Sequence, residues 1–461
     1  MSEIQTTLSA ETESNPTVEE LFGELTSLEP KPVGDFVPAN AVEQKDLFLS
    51  GGVRNPEHQY ERLSAIDFDA NRLSIANIGE RILTHPDAQE KYIGAYRQFI
   101  SNYIRKTDFV ELAYKVKAAE TDEEKATAKL NYMKLNVELY GEPDQIAYRS
   151  LVNESIAVIQ SKELSNAGQK IRQELFELID TDLTGGAERF RPAAETIAWI
   201  NDIANSEDSL YGNLLAHVPE QDTFTAVEIK AVFEAVITQE FDLTLASQDT
   251  DSGKLWSVVV ENAQSINVKA AEKKIVIPTG REVDKEAMTG LVAHEIGVHF
   301  LRSVMGEQAD LDPLKRGLND YYDTEEGLGV VMEQAVNGTY KEAGTGHYIT
   351  AGLAYFDGKD FRDIFETKWR LGLLVDTEGS PSEDDIVKVK NSAYRSTMRI
   401  MRGTDKLPWF KDLSYYNGAA EVWKHLEAIR GDDTEFLLVL LGKANAANVD
   451  HRRILLETAT V

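Results

Sequence analysis

The sequence contains no cysteine and no long apolar run. Without cysteine the chain has no disulfide scaffold, no thiolate zinc site and no cysteine nucleophile, so any metal must be held by histidines and carboxylates. No stretch approaches about 18 consecutive apolar residues, the length that predicts a transmembrane helix. The first residues show neither a basic start nor an apolar segment, so no secretory signal is visible and we expect a cytoplasmic protein.

Positive charge is scarce as well. The chain has 48 Lys and Arg residues against 78 Asp and Glu residues, which gives a formal net charge of −30. Such a charge repels phosphate backbones and anionic membrane surfaces, so we expect neither nucleic acid nor membrane as a partner. The 461 residues, 42% of them hydrophobic, are enough for two packed lobes or one enlarged domain. The sequence leaves the oligomeric state open.

Composition divides the chain into regions. Residues 1–50 contain ten acidic residues, two basic residues and four prolines, which predicts a flexible acidic tail with one short helix that could dock elsewhere. Residues 51–240 carry amphipathic runs, among them 144–180, and predict a helical N-terminal lobe. Short β-branched runs at 255–278 then predict two or three strands, before helical patterns resume at 284.

Two histidines lie five residues apart on one predicted helix. Asp284 is a suitable N-cap for a helix over 285–306, which contains His294, Glu295 and His299. A catalytic zinc ion takes three protein ligands and leaves a position for water, and neutral imidazole is its commonest nitrogen ligand. A carboxylate beside the ligands can accept that water's proton. The segment predicts two zinc ligands and a general base; histidines that only make hydrogen bonds in a core are the alternative.

The histidine spacing is unusual for a zinc site. Zinc peptidases commonly use H-E-x-x-H, in which the histidines share one helix face, whereas this chain has H-E-x-x-x-H. Five residues of regular α-helix turn through about 500°, which leaves the two side chains roughly 140° apart. A π-bulge would bring them together, and Gly297 weakens the helix inside the interval. We therefore predict a deformed helix at this position.

A second predicted helix supplies candidates for the third ligand. In the segment YYDTEEGLGVVMEQ, Asp323 or Thr324 is a suitable N-cap, and Glu325 and Glu326 lie in the first turn. Periodicity places Glu325 nearer the apolar face, while acids that only complement the helix dipole are the alternative. A carboxylate arriving from a second helix completes a gluzincin-like site. The predicted fold is therefore α+β and mainly helical, with a small β-sheet preceding the HExxxH helix of a catalytic region, 241–461.

Several segments carry a resemblance to a known family. The specific ones are HEIGVH, followed by LRSVMG, and TEEGLG; the weaker ones are LYGEPD at 139–144, YRSTMRIMRG at 394–403 and FKDLSYYNG at 410–418. On these segments the chain resembles, from about residue 60 onward, the QEGLA-motif family. That family includes the microtubule-associated tyrosine carboxypeptidases (MATCAP), zinc peptidases with an HExxxH motif.

The resemblance implies a zinc-dependent carboxypeptidase with one catalytic zinc ion. Carried over by position, it makes His294 and His299 ligands, Glu295 the general base and Glu326 the third ligand. For the third ligand the resemblance thus implies Glu326, whereas periodicity favours Glu325. We follow the resemblance and keep Glu325 as the fallback.

This sequence departs from the family signature at two positions. Glu325 stands where the signature has Gln, and Gly329 stands where it ends in Ala. Neither is a proposed ligand, but an extra carboxylate near a metal alters its affinity or the pKa of its bound water.

The resemblance also implies a site for the terminal carboxylate of a peptide or protein substrate, a task suited to a bidentate Arg side chain. Arg395, Arg399 and Arg402 recur every three or four residues and share a helix face, and Lys411 is a similar candidate. A solvated basic face that pairs with the abundant acids is the alternative. Candidate donors to an oxyanion are His347, Tyr348, Tyr321, Tyr322, Tyr415 and Tyr416.

Three functional interpretations remain open. The favoured one is a zinc peptidase that releases C-terminal residues; the second is a non-catalytic helical binding or regulatory protein with a structural zinc site; the third is a metal-free scaffold. Tubulin tails, which the resemblance suggests as substrates, are acidic and would be repelled by a chain of charge −30 unless the cleft is locally basic, so that substrate is not carried over. Sequence preference and exo- versus endopeptidase action also stay open.

Overall fold

The computed structural model describes residues 15–179, 189–246, 255–263 and 265–459. The first part of the chain is helical, as predicted, and its helices are α1 Val18–Ser27, α2 Pro32–Asp35, α3 Ala41–Leu49, α4 Glu61–Ser64, α5 Phe68–Leu83, α6 Ile93–Ala118, α7 Asp122–Tyr140, α8 Gln145–Ser161, α9 Asn166–Leu178, α10 Ala194–Asn205, α11 Leu210–Leu215 and α12 Ala226–Glu240.

Two small sheets accompany these helices. The parallel pair β2 (Ser257–Glu261) and β4 (Lys274–Pro278) is extended by the antiparallel strand β3 (Asn267–Lys269), which confirms the strands predicted at 255–278. The strands β1 (Thr223–Thr225) and β5 (Glu282–Asp284) form a second sheet that the sequence pattern did not indicate, because three residues carry almost no periodicity. The fold is mainly helical with small sheets.

The remaining helices follow the sheets. They are α13 Lys285–Leu291, a π-helix Val292–Phe300, α14 Leu301–Gln308, α15 Pro313–Arg316, α16 Tyr322–Val336, α17 Thr345–Tyr355, α18 Phe361–Asp376, α19 Glu383–Met401, α20 Ser414–Ala428, α21 Asp433–Val439 and α22 Val449–Ala459. None of the helices within the described ranges is long and apolar enough to cross a membrane.

The expected flexible tail is wrong for residues 15–50. Helix α1 buries Leu21, Phe22 and Leu25, and Phe48 of α3 is fully buried as well. The ring of Phe48 packs 4.9 Å from that of Phe365 in α18. Burial of these apolar side chains against distant segments stabilises the helices despite their acidic composition. Composition alone therefore predicted a flexible tail wrongly. Residues 1–14 lie outside the described residues.

The run at 144–180 divides into two helices, whereas its periodicity predicted one amphipathic run. Helix α8 ends at Ser161, and Ser165 caps α9 by accepting a hydrogen bond from the backbone amide of Gly168. Between them Leu164 forms a bridge with Gly379, so tertiary pairing replaces helix continuity.

The main hydrophobic cluster surrounds the π-helix and crosses the boundary expected at residue 240. Val292, Ile296 and Phe300 are fully buried in it, together with residues such as Phe233 of α12 and Ile275 of β4. The ring of Trp256 packs edge-on against that of Phe300, at 4.8 Å between centroids. The π-helix is thus held by apolar contacts from both sides of the predicted division between lobes.

Helices α16 and α20 approach each other at two glycines. A Cβ atom on Gly327 would overlap the carbonyl group of Gly418, and one on Gly418 would overlap the carbonyl group of Asp323. Backbone atoms therefore lie in direct contact where larger residues would keep the helices apart. This contact fixes the N-terminal part of α16, which contains Glu326.

A buried carboxylate attaches the N-terminal segment to the C-terminal half of the chain. Asp405 accepts hydrogen bonds from the backbone amide of His58 at 3.0 Å and the hydroxyl of Tyr60 at 2.6 Å, and it lies 2.7 Å from Lys117 Nζ. The imidazole Nδ1 of His58 is 2.8 Å from the same carboxylate. Burial alone would raise the pKa of Asp405, but His58 and Lys117 lower it below its usual value.

We expect Asp405→Ala to lower the free energy of unfolding by about 3–5 kcal/mol, because Lys117 and Tyr60 lose their buried partner. Since the pKa of Asp405 is lower in the folded state, its stabilisation is present above the usual Asp pKa and is lost as pH falls through the lowered value. Urea denaturation from neutral to acidic pH measures both effects.

Asp69→Ala is the control, because it removes a side chain that is 92% exposed. It should change the free energy of unfolding by less than about 1 kcal/mol. Equal losses in Asp405→Ala and Asp69→Ala would contradict the role assigned to Asp405.

Candidate active site

The two histidines converge because the helix that carries them is widened. Asp284 caps α13 through the amide of Ala287, as predicted, and the residues that follow form the π-helix Val292–Phe300. The Nε2 atoms of His294 and His299 lie 3.1 Å apart. A π-helix turns by fewer degrees per residue, so side chains five positions apart return to one face. The predicted deformation is confirmed.

Gly297 lies inside this widened turn and is packed against Tyr211 of α11. A Cβ atom on Gly297 would lie 2.6 Å from Cε1 of Tyr211. The Tyr211 hydroxyl donates a hydrogen bond to the carbonyl of Gly297 at 2.9 Å, and so satisfies a backbone group of the deformed helix. Glycine is therefore needed for close approach as well as for its weak helical preference.

Helix α16 brings Glu326 to the two histidines. One donor atom from each of His294, His299 and Glu326 can be chosen so that all three lie within 4.8 Å of one another. The helix begins at Tyr322 without a side-chain cap, so the caps predicted at Asp323 or Thr324 are wrong. The Thr324 hydroxyl instead accepts a hydrogen bond from the backbone amide of Ala446.

Glu325 is buried too, but it points to different partners. Its Oε1 atom lies 2.9 Å from Nδ1 of His299 and 3.2 Å from Nζ of Lys443, and its Oε2 atom accepts a hydrogen bond from Arg302. Burial raises its pKa, but the charges of Lys443 and Arg302 and the contact with His299 outweigh burial and hold the pKa well below its usual range. Glu325, the fallback ligand, is outside the three-donor group. It contacts Nδ1 of His299, the ring nitrogen that does not face His294.

His294 has a carboxylate partner of its own. Its Nδ1 atom lies 3.1 Å from Glu333, one further acid on α16. Burial lowers the pKa of His294, but Glu333 and the nearby charge of Glu295 raise it to about 9. Gly329 makes room for this ring, because a Cβ atom there would lie 2.7 Å from His294 Nε2. The departure from the family signature at Gly329 thus lies directly against a proposed ligand.

Glu326 faces a cation and a phenol as well as the histidines. Burial raises its pKa, whereas the charges of His299 and Lys411 and a hydrogen bond from Tyr322 lower it overall. Lys411 in turn donates a hydrogen bond to the Tyr322 hydroxyl. The carboxylate is therefore kept ionised, as a metal ligand must be.

The donor set suits zinc. Two imidazoles and one carboxylate are the ligands of several zinc hydrolases, in which a fourth position is left for water. Tetrahedral ligands about 2.0–2.1 Å from a zinc ion lie about 3.3 Å apart, close to the 3.1 Å between the two Nε2 atoms. Each imidazole also has a carboxylate at its Nδ1 atom, the usual arrangement behind zinc-bound histidine.

Residues 174–460 match the family model described as microtubule-associated tyrosine carboxypeptidase (MATCAP). The match covers more than half of the chain. This chain belongs to the MATCAP family. No curated protein and no solved structure gave a match. The resemblance is confirmed, and by its description the MATCAP family is one of carboxypeptidases.

The MATCAP match contains most of the segments on which the resemblance rested. It includes the π-helix, the first turn of α16 and the segments at 394–403 and 410–418, whereas LYGEPD at 139–144 lies before it. All three proposed ligands and Glu295, which is half-buried beside His294, lie within the match.

The MATCAP segments at 394–418 place three cations near Asp412, and one of them, Lys411, also interacts with Glu326. Arg399 makes two hydrogen bonds to Asp412, at 2.6 and 3.0 Å, and its charge is largely neutralised there. Lys411 lies 3.8 Å from Asp412. Arg402 has no carboxylate within ion-pair distance among the described residues; its guanidinium stacks on Trp409, and its Nε atom is buried without a hydrogen-bond partner. Arg399 and Lys411 thus pair with one buried carboxylate, whereas Arg402 interacts with it only at longer range.

Arg395 occupies a different environment from Arg399. It is exposed on α19 and makes no ion pair with any residue of the described ranges. Its role in substrate binding stays a prediction. The sequence indicated Arg402 only as one of three arginines on a predicted helix face. Its lack of an ion-pair partner among the described residues can be seen only in the tertiary structure.

The six candidate oxyanion donors separate into groups. Tyr321, Tyr322 and Tyr415 each interact electrostatically with Glu326. The Tyr348 hydroxyl accepts a hydrogen bond from the backbone amide of Asp144, and its ring packs 4.4 Å from that of Tyr416. Burial lowers the pKa of His347 to about 4 and keeps it neutral.

Proposed function

We propose that this MATCAP family member is a zinc-dependent carboxypeptidase with a gluzincin-like site. The observation that supports this most is the convergence of His294, His299 and Glu326 from two helices, despite a histidine spacing that a regular helix cannot accommodate. These residues would hold one zinc ion, which when bound lowers the pKa of a coordinated water and polarises a carbonyl oxygen. The site belongs to a chain whose family is described as carboxypeptidases.

Glu295 serves as the general base in this proposal. It follows the first histidine directly, it is half-buried, and it is outside the three-donor group. Its carboxylate accepts a proton from the attacking water and passes it to the leaving amine. Tyr322 and Lys411 orient Glu326 from the other side through the hydrogen bonds described above.

The cation cluster binds the terminal carboxylate of the substrate. Arg399 is engaged with Asp412, so Arg402 and Lys411 are the cations with capacity for a further anion. Burial and the charge of Arg399 both lower the pKa of Arg402, and an incoming carboxylate relieves that repulsion. The cluster concentrates positive charge around Asp412 within a strongly acidic chain, which favours the approach of an anionic substrate end.

We expect Arg402→Met to lower kcat/KM on peptides with a free C-terminal carboxylate by about 10–100-fold, the effect of losing a charged hydrogen bond. Peptides with an amidated C-terminus should show no further loss, since they lack the group that Arg402 binds. Lys388→Met, an exposed change on the same helix, is the matched control and should leave both rates unchanged. An equal loss on acid and amide peptides would contradict this role.

The function itself is tested with a peptide library. The purified chain is incubated with peptides that end in different residues, tyrosine included because the family is named for it, with and without a zinc chelator. Mass spectrometry should detect loss of single C-terminal residues that stops when zinc is removed and returns when zinc is restored. Stoichiometric zinc without any cleavage would support a structural zinc site instead.

A further inference from the structure

Glu325 is surrounded by hydrogen-bond donors. The polar side-chain atoms that contact its two oxygens within the described residues belong to His299, Lys443 and Arg302. Its side chain is only 4% exposed, so solvent contributes little to this environment. A carboxylate can accept at both oxygens, whereas an amide offers one acceptor and one donor group.

The donor on one side of Glu325 is held rigidly. Arg302 is fully buried and donates to the backbone carbonyls of Val439, Gly442 and Ala444 as well as to Glu325. Four acceptors fix its guanidinium in place. If the side chain at position 325 could no longer accept a hydrogen bond, the guanidinium of Arg302 could not move to another acceptor.

The donor on the other side is fixed through the main chain. The backbone amide of Lys443 donates to the carbonyl of Leu314, and its carbonyl accepts from the amide of Leu318, both at 2.9 Å. The Lys443 side chain is only 9% exposed. The segment after α21 is thus fixed in position, with the Lys443 side chain next to Glu325.

We propose that Glu325 is the positioning residue of His299, and that this chain requires a carboxylate at the position where the family signature has Gln. The proposal rests on the zinc site proposed above. A carboxylate holds the His299 proton on Nδ1 and so leaves the Nε2 lone pair for the metal. An amide nitrogen facing His299 would favour the proton on Nε2, and one facing Arg302 would oppose a fixed cation.

The other histidine provides an internal comparison. Glu333 contacts Nδ1 of His294 in the same manner, at 3.1 Å, but its side chain is 52% exposed. Water can take the place of an exposed acceptor, and cannot do so at Glu325. The same chemical change at the two positions therefore has different consequences.

The test compares Glu325→Gln with Glu333→Gln. Zinc affinity of the metal-free full chain is measured by competition with a fluorescent zinc chelator, together with the melting temperature without metal. We expect Glu325→Gln to weaken zinc binding by about 10–100-fold and Glu333→Gln to weaken it by less than about fivefold. Lys443→Met should resemble Glu333→Gln, because Arg302 still fixes the carboxylate.

Each alternative outcome has a distinct meaning. Wild-type zinc affinity in Glu325→Gln, with or without a lower melting temperature, would overturn the proposal and leave Glu325 a purely structural residue, as would an equal or larger loss in Glu333→Gln. If Glu325→Gln does not fold, Glu325→Asp keeps the charge but withdraws it by about 1.5 Å; wild-type affinity there also overturns the proposal. Absence of zinc binding by the wild type would instead refute the proposed function.

Discussion

Glu295→Gln should lower kcat/KM for peptide hydrolysis by about 10²–10⁴-fold, the contribution of a positioned general base. The amide has nearly the same shape but cannot accept the proton of water at neutral pH. Because Glu295 is outside the group of three donors, the variant should keep the zinc content of the wild type. Peptide cleavage by mass spectrometry and elemental analysis of the same preparation measure the two quantities together.

Glu286→Gln is the matched control for this variant. Glu286 is an exposed acid on α13, the helix that leads into the π-helix, and its neutralisation should leave cleavage unchanged. A Glu295→Gln enzyme that still turns over at the wild-type rate would exclude Glu295 as the base. Another group would then have to accept the proton of the attacking water.

Gly327→Ala should lower the free energy of unfolding by about 1–3 kcal/mol or more, because overpacking a close contact forces backbone to move. The new Cβ would overlap the carbonyl of Gly418 and lie 2.8 Å from the amide nitrogen of Ala419. Helices α16 and α20 must then separate at the turn that carries Glu326. We therefore expect weaker zinc binding in addition to the loss of stability, measured by urea denaturation and by chelator competition.

Gly23→Ala makes the same chemical change in open space. No atom lies within 4 Å of a Cβ built at this exposed position in α1, so the substitution should raise stability by about 0.5–1 kcal/mol through helical preference alone. If Gly327→Ala were equally harmless, the close helix approach would not be what fixes Glu326.

The sequence alone predicted the parts of the site that depend on local chemistry. The Asp284 cap, the strands before it and the need for a widened helix between His294 and His299 follow from capping, β-branched runs and helix geometry. The strain of the HExxxH spacing was visible because two ligands of one metal cannot lie on opposite faces.

The choice between the two glutamates could not be derived from periodicity. Both Glu325 and Glu326 are buried, since Arg302 and Lys443 compensate the charge of Glu325. Lys443 is remote in sequence, so no local pattern indicates the pair. Periodicity detects apolar faces and does not detect buried ion pairs; only the family resemblance indicated Glu326.

For residues 15–50 the sequence indicated one short helix that could dock, but it predicted a flexible tail for the rest, for a related reason. An acidic, proline-interrupted segment has too few apolar residues to form a core of its own, and its few apolar side chains are buried only because other segments receive them. Arg402 shows the same limit at the site: its sequence neighbours identify a basic face, but its lack of a partner among the described residues depends on Asp412 being taken by Arg399.

The proposed site requires that His294, His299 and Glu326 together hold one zinc ion, a claim that elemental analysis of purified wild type and of His294→Ala can decide. We expect about one zinc per wild-type chain, as the proposed site requires, and none in His294→Ala, whose melting temperature without metal should match that of the metal-free wild type to within a few degrees. A wild-type chain without zinc, or a His294→Ala chain that retains it, would contradict the claim.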